Sequence, residues 1–516
     1  MLKIPVVVWI ANAAARLAGA HGDVTHQAEA ADCSRQTVYD HAQKVRAAVE
    51  AEHSGGPTRA ELLARNQQLQ QENAQLWDWL AQTIEFPKDK QRQFTVIATA
   101  MGLSLNQVLA LLALILGVQA RPGRATLHRW IKAAGIAAGR VLKHLDAQCQ
   151  ALVLVGCLDE IFFHRRPVLV GVEPASMVWF LGQKAHDRTG ATWSRALQNF
   201  PALSYVLADA GTGLQAGIAA VQQQRQQDGQ CPLENGLDVF HTTQEARRAL
   251  RQIWSRVERL WEQAEAADRR VAQAQQQGHD ARGAAVAARC AWTKAATAFQ
   301  QYERSEAGWE IARAALQVFR PKGRLNERPW AQEQIARALP QLSGREWSKV
   351  RNYLQAAETL TFLDRLHRQL QEVVPEGPLR GELVRLWWLR RQRPPATTAG
   401  MIAGAGHVVH LVQRVICHQT GANWHESYRG VARVLRQAVR ASSAVECMNS
   451  VLRMHQSRHR TVTQDLLDLK RLYWNCRAFR EGKRRGRCPY EHLGLKLPSY
   501  RFWDLLGMPT PIGATT

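Results

Sequence analysis

Residues 151–176 read ALVLVGCLDEIFFHRRPVLVGVEPAS, and the fold turns on this stretch. Leu152 to Leu158 is apolar, rich in β-branched residues and too short for a good helix, so it predicts a buried strand ending in Asp159-Glu160. His164-Arg165-Arg166-Pro167 supplies a turn, and Val168 to Val172 returns as a second apolar strand. A carboxylate at the end of a buried strand stands on a rigid support, where it can face a crevice and hold a divalent cation. A charged hairpin tip would have the same local sequence, so the case for chemistry rests on the residues beyond the hairpin.

Val178 to Leu181 predicts a third strand and completes an antiparallel meander. A helix is expected over Arg188 to Asn199, then a strand over Leu203 to Ala208 ending in Asp209-Ala210-Gly211-Thr212-Gly213. Glycines after a strand-end Asp let another backbone or a phosphate come close. Leu214 to Gln224 predicts a helix, and Leu237 to His241 a short strand running into a helix from about Thr242. Gln244 to about Gln371 is almost wholly helical in pattern and reads as a scaffold insertion with solvated charged faces, interrupted mainly at Pro321 to Pro329. Arg380 to Arg393 is a basic amphipathic helix, and Pro394 to Gly406 a flexible joint. Ser442-Ser443 then caps a late helix, SSAVECMNSVLRMHQSR, which carries Glu446. From Arg429 onward there are 17 basic and six acidic residues, about half of the chain's whole positive excess. The run Gly482 to Arg487 is its densest part, suited to a phosphate backbone.

Upstream, Ala11 to Leu17, Val24 to Ala31 and Arg35 to Val49 predict three short helices. The segment A-x-x-A-D-C-S-R-Q-T-V-Y-D-H looks like a helix-turn-helix, with small Ala residues letting two helices approach. Ser34, Arg35, Gln36, Thr37 and Tyr39 would project from the start of the recognition helix toward a DNA major groove. His53 to Pro57 reads as a linker. Beyond it Leu62, Leu69 and Leu76 fall seven apart, and Asn66, Asn73 and Leu80 follow each by four, a heptad seam that favours a parallel dimer. Ser104 to Gln107 opens an apolar helix, Arg121 to Gly123 breaks it, and Ala125 to Ala134 reads as a second recognition helix bearing His128, Arg129 and Lys132, or as a packing helix.

Composition narrows the classes. The chain has 516 residues and a net charge of +23, which suggests a polyanionic partner, most directly nucleic acid. Nine scattered Cys without a C-x-x-C pair argue against a zinc site and a disulfide framework, and favour a reducing cytoplasm. The longest apolar run, Val108 to Val118, is too short to span a bilayer, and no lipidation signal is present. The N-terminal MLKIPVVVWIANAAARLAGA loosely mimics a signal peptide, but Arg16 interrupts it, so export is not expected.

Three carboxylates stand out in order: Asp159, then Asp209 after 50 residues, then Glu446 after another 237. Asp238-Val239-Phe240-His241 is similar to the (Cys/Asp)-x-x-His motif of several transposase lineages, and NCRAFREGKRRGRCPYEHLGL from Asn475 resembles the ending of bacterial insertion-sequence transposases. Over about Ala151 to Leu497 the chain thus resembles the Asp-Asp-Glu transposases, whose catalytic domain has a ribonuclease H-like fold. The resemblance implies a mixed, mostly α chain: a helix-turn-helix domain at 1–52, a coiled coil at 58–85 and a second helical DNA-binding module at 90–148. It further implies a split α/β catalytic domain at 151–243 and 430–480, a helical insertion at 244–405 and a basic tail at 481–516. It implies two Mg²⁺ ions, with Mn²⁺ as a substitute, held by Asp159, Asp209 and Glu446. Double-stranded DNA would be cut at transposon ends and joined to target DNA by a homodimer or higher oligomer in the bacterial cytoplasm, associated with the nucleoid. Glu160 is the rival to Asp159, and only one of the two can face the metals. His241 would orient the scissile phosphate or a water, or merely cap its helix. Arg453, Arg458, Lys483, Arg484, Arg485 and Arg487 would offset phosphate charge.

Overall fold

The computed structural model describes residues 5–51, 58–82, 86–392, 399–420, 424–458 and 462–509. The expected linker at His53 to Pro57, and Pro394 to Thr398 of the expected joint, lie outside the described residues. The chain forms two compact units, Met1–Pro87 and Lys88–Thr516.

The first unit contains helices α1 (Val6–Ala18), α2 (Asp23–Ala30), α3 (Arg35–Ala51) and α4 (Arg59–Gln82). The first three pack around Ala13, Ala28, Val38 and Ala42, whose small side chains let the backbones come close. Asn12, fully buried, satisfies itself on His41 Nδ1 at 2.9 Å and on Gln27 at 3.2 Å, and Trp9 stacks on the His41 ring. A buried amide needs such partners. On α4 the heptad residues Leu62, Leu69 and Leu76 are exposed.

The second unit is mostly helical with one mixed five-stranded sheet. Helices α5 (Lys88–Met101), α6 (Leu105–Leu116) and α7 (Arg124–Cys149) come first. Ser104 and Gln107 form a capping box at the start of α6. The sheet then builds from β1 (Val155–Phe163), β2 (Arg166–Val172), β3 (Trp179–Lys184), α8 (Gly190–Gln198), β4 (Tyr205–Ala208), α9 (Thr212–Gln227) and β5 (Glu234–Leu237). Its strand order is β3-β2-β1-β4-β5, antiparallel between β1, β2 and β3 and parallel between β1, β4 and β5. Both faces are covered, which is why the strands read as unbroken apolar runs. One face, with Leu158, Leu169, Phe180 and Val206, packs on α7, α8 and α9. The other, with Cys157, Ile161, Val170 and Leu207, packs on a late helix.

After the sheet the chain stays helical through α10 (Val239–Gln276), α11 (Arg282–Ala315), α12 (Arg328–Ala338), α13 (Ser348–Gln355), α14 (Thr361–Val373), α15 (Gly377–Arg391), α16 (Ala399–Thr420) and α17 (Trp424–Gln437). Then come α18 (Ser443–Arg458), which covers the second sheet face, α19 (Gln464–Cys476), α20 (Pro489–Leu493) and α21 (Phe502–Leu506). The expected joint is helical from Ala399. The helical region returns to the sheet edge, where Arg365 pairs with Glu234 at 3.5 Å and lies 4.9 Å over the Tyr205 ring. Tyr205 in turn lies over Gly236, where a Cβ would meet its hydroxyl oxygen at 2.2 Å.

Among the described residues no helix is long and apolar enough to cross a membrane.

Candidate active site

In the parallel half of the sheet, Leu158 pairs with Ala208 and Ala208 with Leu237. The residues that follow these three are Asp159, Asp209 and Asp238. Asp209 and Asp238 each follow the last paired residue of their strand, so with Asp159 they mark the carboxyl edge of the parallel pairing. Ligands of open α/β sheets bind at such an edge. The strand that was expected to end at Asp159 runs on to Phe163, because β1 keeps its antiparallel pairing with β2 after β4 has stopped. The strand expected over Leu237 to His241 lies earlier, at Glu234–Leu237, and Asp238 is the N-cap of α10.

Asp159 is only 8% exposed. Its Oδ1 accepts from the Glu160 amide at 2.8 Å and its Oδ2 from Asn449 Nδ2 at 2.5 Å. Burial, then the charge of Asp209, push its carboxyl up to about 7. Glu160 points to the opposite side of the strand and accepts from Arg188 at 2.8 Å. Asp209 is half-buried, and its Oδ1 accepts from the Gly211 amide at 2.9 Å. The glycines after it serve a backbone contact: a Cβ on Gly213 would lie 1.8 Å from the Arg188 carbonyl oxygen. Tyr353 of α13 accepts from the Ala210 amide at 3.3 Å, beside Asp209.

Asp238 is fully buried and joins three elements. It accepts from the Phe240 amide at 2.8 Å in the first turn of α10, from the Ser442 amide at 2.8 Å before α18, and from the Ser442 hydroxyl. Its Oδ2 also meets His241 Nδ1 at 2.6 Å. Burial alone would raise the Asp238 carboxyl, but these hydrogen bonds outweigh it and hold it low. For His241, burial works toward loss of the proton, and the Asp238 hydrogen bond and charge overcome it, raising the imidazole to about 9. The other ring nitrogen, Nε2, lies 3.4 Å from Glu446 Oε1. His241 is therefore an imidazolium wedged between two carboxylates. Through Ser442, Asp238 also fixes where α18 begins, and with it Glu446 in the first turn.

Carboxylate oxygens of Asp159 and Glu446 and a ring nitrogen of His241 lie within 4.8 Å of one another, and His241 joins as a ligand only once it has lost its proton. Asp209 is outside that group and acts on Asp159 through its charge. No protein-family model, curated protein or solved structure matches this chain. The site must therefore be read from its own chemistry. Oxygen donors crowded around a buried carboxylate, with the His241 imidazolium among them and Arg453 beside Glu446, suit a hard divalent cation.

The remaining candidates are dispersed. Arg453 lies 3.6 Å from Glu446. Arg458, further along the same helix, donates to the Gly102 carbonyl at 3.2 Å. Arg484 donates to the carbonyls of Ala175 and Pro174, both at 2.7 Å, while Lys483, Arg485 and Arg487 lie at the surface. The tail motif has structural work: Asn475 brackets Trp179 at the start of β3, accepting from its amide at 2.9 Å and donating to its carbonyl at 3.1 Å, and Tyr490 is fully buried. His128, Arg129 and Lys132 lie on the first turns of α7, which runs on to Cys149 because Ala134, Ala138 and Leu142 enter the core. In the first unit, Ser34 caps α3 by accepting from the Thr37 amide at 3.1 Å. Gln36 bonds Asp40 at 2.9 Å, and Arg35 and Tyr39 are exposed, Tyr39 under Arg16.

Asn449, Tyr353 and the bonds of Asp238 to Ser442, which is expected only as a helix cap, are not signalled by the sequence reading. Asn449 and Ser442 lie on the late helix itself, one turn after Glu446 and just before its first turn, and that spacing was the available signal. Asp187 and Glu173, the other acids near the sheet, are occupied in turns with Thr189 and Thr192, and with Ser176.

Proposed function

We propose that this chain is a metal-dependent DNA transposase of the Asp-Asp-Glu type, with a ribonuclease H-like catalytic region interrupted by the helices between Val239 and Gln437. The observation that carries the reading is the convergence of acids far apart in sequence: Asp159 and Asp209 directly beyond the last Leu158–Ala208 pair, close enough for the charge of one to act on the other, and Glu446 within ligand reach of Asp159 across 287 residues. The strand order, with an antiparallel meander leading into two parallel strands, agrees with that fold family.

In this reading Asp159, Asp209 and Glu446 hold two Mg²⁺ ions, which Mn²⁺ can replace. When bound, the ions activate a water or 3′-hydroxyl and stabilise the leaving oxygen of a phosphodiester. Asn449 fixes one Asp159 oxygen and leaves Oδ1, bonded only to a backbone amide, turned to the site. Asp238 orients His241 through Nδ1, so that Nε2 presents a proton toward Glu446 and toward any phosphate oxygen entering there. Arg453 adds a second positive charge on the same side. The three-helix region, with Arg35 and Tyr39 outward, grips duplex DNA, and the exposed Leu62, Leu69 and Leu76 seam of α4 joins two chains.

The test uses purified full-length protein with duplex DNA carrying the gene's own flanking sequence. Mg²⁺-dependent strand cleavage followed by joining is expected, with Asp209→Ala at least about 10³-fold slower. Binding without cleavage would reassign the chain to a DNA-binding regulator, and cleavage that never leads to joining would reassign it to a nuclease of the same fold. Full activity in Asp209→Ala would remove the metal mechanism.

A further inference from the structure

The first turn of α10 belongs to the site, but the helix continues for more than thirty residues beyond His241. Moving outward along it, Glu245 pairs with Lys349 at 3.6 Å, and Arg256 pairs with Glu346. Tyr353, beside Asp209, is innermost on the opposing element. Thus α13 and the 3-10 turn Arg345–Trp347 run antiparallel alongside α10, starting at the acidic cluster. Where they separate, an open groove of about 540 Å³ is lined by Arg248, Arg251, Gln252, Ser255, Arg256, Arg259 and Glu346.

Four arginines against one glutamate give this groove a formal charge of +3. Arg248, Arg251 and Arg259 are exposed and make no ion pair among the described residues. Two acids beside the groove, Glu245 and Glu346, are already paired, with Lys349 and Arg256. At a rise of about 1.5 Å per residue, Arg248 to Arg259 spans about 16 Å of a straight helix. That matches about five phosphates of one DNA strand, at about 3.4 Å each along the duplex axis. Gln252 and Ser255 between the arginines are small or neutral donors that also suit phosphate oxygens.

We propose that this groove holds the sugar-phosphate backbone of the duplex that leads out of the active site. The inference rests on the transposase reading and deepens it by assigning a DNA track to the inserted helices. The backbone enters past Arg259, follows the arginine face of α10 inward, and reaches the acids beside His241. The recognition is of charge and spacing, so it is independent of base sequence.

The experiment measures binding of the full chain to a fluorescein-labelled duplex of arbitrary sequence, about 30 base pairs long, across a salt series. Neutralising Z phosphate contacts changes the slope of log affinity against log salt by about 0.9 per contact. The triple variant Arg248→Ala/Arg251→Ala/Arg259→Ala is expected to flatten that slope by about 3 and to weaken binding at least about tenfold at physiological salt. The control Arg269→Ala/Arg270→Ala/Arg289→Ala removes the same charge from exposed positions farther along α10 and on α11, and should stay within about threefold of wild type. Arg→Lys at the three groove positions should restore the slope, which separates charge from folding. Equal losses in both triples, or an unchanged slope in the groove triple, would sink the track while leaving the transposase reading intact. Wild-type protein that binds no duplex would remove both.

Discussion

Helix α18 is held at each end by a buried polar cluster, and the two clusters are opposites. At its start, Asp159, Asp209, Asp238 and Glu446 surround the single imidazolium of His241. At its end, Lys470 Nζ donates to the Thr99 carbonyl at 2.8 Å and to His455 Nδ1 at 3.1 Å, and Arg458 donates to the Gly102 carbonyl. The acidic end gathers four carboxylates against the imidazolium and the Arg453 guanidinium, and Asp159 responds by holding its proton up to about 7. The basic end is crowded too: burial and then Arg458 push Lys470 down to about 7. The difference lies in how each is relieved. Lys470 holds its proton less tightly and stays hydrogen-bonded to the Thr99 carbonyl and to His455, both supplied by the fold. The acids keep their excess charge among the described residues, and under the proposed function a cation from outside relieves it. A buried polar group that is satisfied internally reads as structure; one that is frustrated beside a crevice reads as function.

Asp159→Asn should sharpen this contrast most. The folded-state value near 7 lies above the ordinary 3.8, so the metal-free fold loses stability as pH rises from about 4 to 7. Above that window the penalty is on the order of 4 kcal/mol. The Asn variant is expected to melt higher than wild type at pH 8 without Mg²⁺ and to match it near pH 4, and under the proposed function Mg²⁺ should raise the melting temperature of wild type and not of the variant. DNA cleavage should fall by at least about 10³-fold. A variant that melts no higher at pH 8 would show that the acids are not in conflict.

Lys470→Met addresses the other end. Here the folded value near 7 lies below the ordinary 10.5, so wild-type stability rises as pH rises between those values. The Met variant should be more stable by a few kcal/mol at pH 6, with the gap closing toward pH 10 and cleavage unchanged within about threefold. A large loss of cleavage at unchanged stability would make the basic cluster part of the chemistry.

The smallest effect is expected for Glu160→Gln. Its Arg188 partner is largely exposed, so the pair contributes no more than about 1 kcal/mol, and cleavage should stay near wild type. If Glu160→Gln proves as inactive as Asp159→Asn, the wrong neighbour has been assigned to the metals.

The apolar runs made the strands legible, since both faces of the sheet are covered. Boundaries were less so. Asp159 sits where one pairing ends and another continues, and sequence alone cannot say which neighbour has stopped. Asp238 was misplaced into a strand because Leu237 and Val239 are apolar, although its role as a helix cap follows from residue type and position. Asp209 and Glu446 were legible as isolated acids in apolar surroundings. Asn449 and Tyr353 gained meaning only by meeting Asp159 and Asp209 across 290 and 144 residues. Arg458 was indistinguishable by sequence from an arginine facing DNA, because only the fold brings the Gly102 carbonyl to it.

Asp238 has one more consequence. One carboxylate grips both the peptide that leaves the sheet for the inserted helices and the peptide that comes back, 204 residues later. Like a clasp closing a necklace, it fastens the first turn of α18, and with it Glu446, to the start of α10. The helices between its two ends then return to the sheet on contacts of their own, Tyr353 at Ala210 and Arg365 at Glu234.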